Sequence, residues 1–404
     1  MHVRDTELAS HAERLLTAQQ VGYRDLALAF DESTATAAEV LVGGTSFFPR
    51  MLEDIAGASS SVHIVQFGFR PGAVGDRFAE ALLGKARDGV PVRMVVDRNG
   101  TDPERGSKEF YDRLAAGGVQ ACMASGTQAR GPFGPLGDDG RPVRWKLHTL
   151  GHIDHRKVLV IDGRIGWVGG AGVEDHFEDG RFHDLFLRLE GPVVSQLQLV
   201  VLASLRSLGG TAPVEELPSL FPTHAQGEGA PAIVLHNAPG RFRPITDAIA
   251  ELLDSARETL DVVNPYVTDR GMIKRIEAAA RRGARVRLFV PGNPNNWACG
   301  LAERFHHGGL LEAGVEILEY PQMLHAKAFV RDGEDVLAGT CNLEAWSLKR
   351  FFEIDVRVRS AELARQFEER FSAPAVAVSG QGRAASGLVE RAKATAFAAL
   401  SPFL

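Results

Sequence analysis

Residues 155–170 read HRKVLVIDGRIGWVGG, and residues 325–340 read HAKAFVRDGEDVLAGT. Each is H-x-K-x4-D-G followed by a hydrophobic run into two small residues. Downstream, RFHDLFLRL from Arg181 is matched by RFFEIDVRV from Arg350. The first pair is offset by 170 positions and the second by 169, so the similarity is a duplication rather than chance.

Working outward, the same order of elements is written twice. Phe47 to Ala58 has helical apolar spacing, and SVHIVQFGF from Ser61 alternates like a strand. A helix over Asp76 to Asp88, the strand VPVRMVVD and a helix over Ser107 to Ala116 follow. The second half repeats this with a helix from Pro244, the strand TLDVVNPYV, the helix GMIKRIEAAARRG, the strand ARVRLFVPG and a helix from Asn296 to Ala313. Strands alternating with helices of this length predict an α/β fold. Two pseudo-symmetric halves, each a mostly parallel sheet flanked by helices, would meet at one shared site. The boundaries predicted are an N-terminal helical extension over 1–42, a first half over 43–208, a Gly/Pro-rich linker over 209–231, a second half over 232–373 and a C-terminal tail over 374–404. A Gly/Pro-rich insert from Gly126 to Arg144 reads as a surface loop or lid.

Composition narrows the classes. The 404 residues carry a net charge of −6, which excludes a generally basic nucleic-acid coat, and no nucleic acid is expected as a partner. Three widely spaced cysteines (Cys122, Cys299, Cys341) predict no disulfide framework and a reducing compartment. MHVRDTELASHAERLL lacks the pattern of a signal peptide. The most apolar stretch, Val193 to Leu208, holds two glutamines and an arginine and reads as a packed helix rather than a membrane span. A cytoplasmic protein, soluble or peripheral to the inner face of the membrane, is the expectation.

On a strand, residues two apart share a face, so His155 points with Lys157 and His325 with Lys327. Brought into one site, two imidazoles supply a nucleophile and a general acid, and two ammonium groups hold the oxygens of a phosphodiester. Asn342 and Ser347, with Gly170 and Thr340, are the candidate phosphate-binding groups. Each imidazole needs an orienting partner, and Asp184 and Glu353, at equivalent places in the repeat, are the candidates. Asp162 and Asp332 complete the motifs and join the candidate catalytic set, although Asp before Gly is also an ordinary turn former. His148, His152 and His155 with Asp154 admit a metal-cluster reading, but the twin motif accounts for His155 without metal. His306-His307 before Gly-Gly suggests a helix end.

The doubled H-x-K-x4-D, followed in its second copy by GTCNLEAWSLKRFFE, resembles the HKD motif of the phospholipase D superfamily over roughly Gly43 to Phe371. Within it, GDRFAEALLGKARDGVPVRMVVD, HRKVLVIDGRIGWVGG, LLEAGVEILEYPQMLHAKAFVRDG and the terminal LSPFL are most similar to bacterial cardiolipin synthases. The resemblance implies two phospholipase-D-like halves and a phosphatidyltransferase acting on phospholipids, with no metal or other cofactor. It also implies a phosphohistidine on His155, with His325 as the acid and then the base. The alternatives are a phospholipase D or other phosphodiesterase using water, and a non-catalytic lipid- or phosphate-binding module. One departure stands out: where the first motif of the family runs G-G-x-N, this chain has Gly169-Gly170-Ala171-Gly172. The C-terminal LVERAKATAFAALSPFL places Leu388, Val389, Ala392, Ala396, Leu400 and Phe403 near one helical face. That face would either rest on anionic lipid as a peripheral membrane contact or dock on the protein's own core.

Overall fold

A computed structural model describes residues 2–22, 25–101, 107–124, 153–224 and 229–400. The predicted insert over 126–144, His148, His152 and Phe403 lie outside the described residues.

The β-branched runs form strands and the 3.6-periodic segments cover them. Val62–Gln66, Val92–Asp97 and Lys157–Ile161 bury every residue, as strands do when a sheet is covered on both faces. Helix Ala73–Arg87 turns Val74, Phe78, Ala79, Leu82 and Leu83 inward. The first sheet runs Ala37–Val42, Leu185–Glu190, Ile165–Gly169, Lys157–Ile161, Val62–Gln66, Val92–Asp97, Gln120–Ala124. The second runs Gly380–Gln381, Glu316–Tyr320, Arg285–Pro291, Thr259–Val263, Ala328–Arg331, Asp335–Gly339, Glu353–Arg359, Ala230–Asn237, Ser33–Ala35. The two-half α/β architecture is therefore present, but the strand directions revise the expectation of mostly parallel sheets. Among the described residues, only Val62–Gln66, Val92–Asp97 and Gln120–Ala124 pair in parallel in the first sheet, and Thr259–Val263, Arg285–Pro291 and Glu316–Tyr320 in the second. The motif strands form antiparallel hairpins beside them. The three-residue Asp-Gly-x connections leave no room for a crossover helix.

The ends of the chain are also more integrated than expected. The first 42 residues hold strands as well as a helix: Ser33–Ala35 joins the second sheet and Ala37–Val42 the first, so one short segment stitches both. In the tail, helix Ala373–Val378 is followed by Gly380–Gln381, an edge strand of the second sheet. The apolar Val193–Ser207 is a packed helix, buried from Val193 through Leu205, against strands of both halves. A single apolar core crosses the boundary between the halves. Among the described residues no helix is long and apolar enough to cross a membrane.

Two short backbone pairings join the halves where the site forms. Phe182–His183 pairs in parallel with Met323–Leu324, and Asp154 bridges Phe352. The His325 N–H donates to the His183 carbonyl at 2.7 Å and the His155 N–H to the Phe352 carbonyl at 3.0 Å. Each motif histidine is thereby laid beside the residue preceding the acidic position of the opposite half.

Candidate active site

That backbone pairing dictates the side-chain pairing. His155 Nδ1 donates to Glu353, 3.0 and 3.1 Å from its two oxygens, and His325 Nδ1 to Asp184 at 2.7 Å. Both carboxylates are fully buried, and the imidazoles are only 10% and 13% exposed. Each histidine is thus oriented by an acid from the other half, so neither half holds a complete His–acid pair. With Nδ1–H committed to a carboxylate, each neutral ring keeps its lone pair on Nε2.

Lys157 Nζ donates to the His155 carbonyl at 2.6 Å, and Lys327 Nζ lies 2.9 and 3.1 Å from His325 Nδ1 and Nε2 while donating to the His325 carbonyl. The lysine thus stands beside its own histidine, though the motif enters the sheet rather than lying within it: Lys157 begins one strand and Lys327 precedes another. Phe67 and Phe351 flank the His155 ring, and Phe177 and Phe182 the His325 ring. These apolar walls deepen the desolvation.

Burial sets the electrostatics. It pushes both imidazoles well below their ordinary range, and the two lysines push further in the same direction. It lowers Lys157 to about 7 and Lys327 to about 8, with Lys327 adding to the effect on Lys157 while Asp184 and Glu353 hold Lys327 up. It raises Glu353 to about 7 against the pull of Lys157, and raises Asp184 against the pull of Lys327.

The remaining candidates divide. Asn342 is buried, its Oδ1 has no hydrogen-bond partner among the described residues, and its N–H is held by Ser347 Oγ at 2.8 Å. An amide with one end uncommitted suits a phosphate oxygen, since rotation about its terminal bond exchanges oxygen for NH2. Ser347 is not placed to bind phosphate: its hydroxyl is fully buried and donates to Glu353, steadying that carboxylate behind His155. Thr340 is also turned inward, exchanging hydrogen bonds with Ile354 and donating its N–H to Asp355. Gly170 serves by being bare, because a Cβ there would lie 2.5 Å from Asp184 Oδ1.

Asp162 and Asp332 are corrected from the catalytic group to the far ends of the motif strands. Both adopt positive φ, 54° and 51°, at the hairpin turns. Asp162 accepts N–H bonds from Ser59, Ser60 and Ser61, and Asp332 from Arg257, Glu258 and Thr259. Asp154 is held by a bidentate pair with Arg156 at 2.7 and 2.6 Å. His306-His307 does not end a helix: Trp297–Glu312 continues through the glycines, and His307 bonds Glu303 and the Arg383 carbonyl.

Sequence reasoning missed Glu174. Its carboxylate, 13% exposed, lies 3.4 Å from Arg70 and within the field of Lys157. The signal was available two residues upstream, at the Gly172 departure.

The family description "Cardiolipin synthase, PLD-like domain" matches residues 51–181 and 249–374. The chain is 26% identical over 341 residues to a cardiolipin synthase of Listeria monocytogenes serotype 4a, covering 82% of this chain and 67% of that protein. It is 30% identical over 331 residues to a cardiolipin synthase of Geobacillus sp. WCH70, covering 80% and 63%. The crystal structure of a Haemophilus influenzae phosphatidylserine synthase superimposes with a TM-score of 0.69 at 12% identity, over 98% of this chain and 100% of that one, which shows the shared fold. Duplicated motif, crosswise site and matched family model agree: the chain belongs to the PLD-like domain family of cardiolipin synthase.

Proposed function

We propose that the chain is a phosphatidyltransferase of the cardiolipin-synthase type, moving a phosphatidyl group from one phospholipid phosphodiester to an alcohol such as the head of phosphatidylglycerol. The observation that carries the reading is the crosswise pairing of two buried imidazoles with Glu353 and Asp184 beside two lysines. His155 Nε2 attacks phosphorus, and the bond to the leaving alcohol breaks as His325, entering protonated in the presence of the anionic substrate, gives that oxygen its proton. The acceptor hydroxyl then loses its proton to neutral His325 and attacks phosphorus, the P–N bond breaks, and both histidines return to their starting states. Lys157, Lys327 and Asn342 hold the non-bridging oxygens, where charge builds in the transition state.

Pure protein incubated with phosphatidylglycerol is expected to give cardiolipin and glycerol by mass spectrometry. His155→Ala and His325→Ala each abolish turnover, and His155→Ala forms no covalent phosphoenzyme. Phosphatidic acid as the sole product would replace the transferase with a hydrolase. No product with any phospholipid would leave a binding module.

A lipid substrate requires access to its bilayer. Helix Gly387–Leu400 docks through Ala394 and Ala398, with Phe397 edge-on to Trp297, yet leaves Leu388 89% and Val389 70% exposed. We assign these to peripheral membrane contact. The Leu388→Ser/Val389→Ser variant should sediment less with phosphatidylglycerol vesicles, and unchanged sedimentation would remove the assignment.

A further inference from the structure

The two halves do not present the same group to the phosphate. Gly172 stands 170 positions before Asn342, so the first half lacks the amide that the second supplies. Its place is filled. A Cβ on Gly172 would lie 2.4 Å from Glu174 Oε1, and a Cβ on Gly68 would lie 2.2 Å from the same atom. The Glu174 carboxylate rests on two bare stretches of backbone, in the volume a side chain at 172 would occupy. The equivalent Glu344 behaves differently: it caps the helix Ala345–Lys349, accepting from the Trp346 and Ser347 N–H groups at 2.6 and 2.7 Å. Glu174 precedes only the short 3-10 turn Asp175–Phe177 and its side chain makes no capping bond there. Its carboxylate lies instead in the field of Lys157.

A carboxylate repels a non-bridging phosphate oxygen, so Glu174 does not replace the missing amide as a phosphate ligand. It accepts hydrogen bonds from a group that donates them. Arg70 Nη1, 3.4 Å away, already balances its charge, which favours a neutral hydroxyl over an ammonium head. His176 Nδ1 stands 3.8 Å away, and its ring lies 4.3 Å from that of Phe182, which flanks His325, the group assigned above to the alcohol. We propose that Glu174, made possible by Gly172, is a specificity-determining residue that binds a second hydroxyl of the transferring alcohol and so selects polyhydric heads over monohydric and amino alcohols. This rests on the phosphatidyltransferase reading and adds the class of alcohol.

The test uses the full chain, a phosphatidylglycerol donor and three competing acceptors: 1,2-propanediol, 1-propanol and ethanolamine. The wild type is expected to prefer the diol over 1-propanol by about tenfold or more in kcat/KM, the discrimination a charge-assisted hydrogen bond supplies. Glu174→Ala should bring that ratio close to one, and Glu174→Gln, which keeps one acceptor oxygen, should leave it intermediate. Gly172→Asn should collide with Glu174 and lose activity, and adding Glu174→Gly should restore transfer without the diol preference. An unchanged diol-to-propanol ratio in Glu174→Ala overturns the inference while the transferase stands. Preference for ethanolamine in the wild type also overturns it. Absence of transfer to any alcohol by the wild type instead removes the reading beneath it.

Discussion

Lys157 and Lys327 are held at about 7 and about 8 mainly because burial penalises their charged forms. Phosphate binding needs both charges, so kcat/KM, which reports the free enzyme, should fall as pH rises through about 7, where Lys157 loses its proton, and more steeply beyond about 8, where Lys327 follows. Lys327→Arg keeps its charge far into the alkaline range and should remove the second step while leaving the first, at a lower plateau. A wild-type profile flat to pH 10 would sink the assignment. The stability linkage of these two lysines does not produce the limb. A lysine whose folded pKa lies below its unfolded value adds stability that is full above about 10.5 and lost as pH falls through the folded pKa, so the stability term runs opposite to the loss of activity. The residue types at this site were legible in the sequence, because H-x-K twice at a fixed offset is unlike any packing pattern. The roles of Ser347 and Thr340 were not. A hydroxyl near a phosphate site and a hydroxyl tied to a buried acid look the same until Glu353 and Ile354 are in place.

Asp162 and Asp332 show what the H-x-K-x4-D spacing means at the scale of an element. Five residues beyond the lysine, the motif strand has ended, and the aspartate sits in the hairpin turn with positive φ. There its carboxylate gathers the N–H groups at the start of a neighbouring strand, Val62–Gln66 or Thr259–Val263. Burial pushes each carboxyl up, but the backbone N–H bonds outweigh it and hold both below the ordinary range. The stability they contribute is present above the unfolded carboxylate pKa and lost as pH falls through the folded one. Asp162→Ala should cost about 1–2 kcal/mol, the scale of a lost cap, with activity per folded molecule retained. Urea midpoints at pH 7 and near pH 3 check this: the variant's deficit should be large at the first and shrink at the second. A loss of kcat at full stability would return Asp162 to the catalytic group. The Asp-Gly pair signalled the turn in the sequence, but its partners lie about 100 and 75 residues away and left no local trace.

At the scale of the whole molecule, the duplication predicted two halves and one site, and it paired Asp184 with Glu353 as equivalents. It did not say which acid serves which histidine. Local spacing suggests each half is self-sufficient, whereas the backbone bonds from His155 to Phe352 and from His325 to His183 exchange the acids. That exchange makes the division of labour testable without touching either histidine. Replacing a carboxylate by an amide presents an NH2 to Nδ1, favours the tautomer with its proton on Nε2, and removes the lone pair the chemistry needs. Losses of about 10²- to 10⁴-fold follow when a histidine is held in its wrong tautomer. Glu353→Gln should therefore disable His155 and Asp184→Asn should disable His325, although each acid lies in the opposite half. A phosphatidyl ester of p-nitrophenol separates them, because its leaving group departs without an acid. Asp184→Asn should release one equivalent of nitrophenolate in a burst and then stall as a trapped phosphoenzyme, since the acceptor lacks its base. Glu353→Gln should give no burst. The reversed pattern makes His325 the nucleophile, and equal bursts from both variants mean that the crosswise acids do not set the roles.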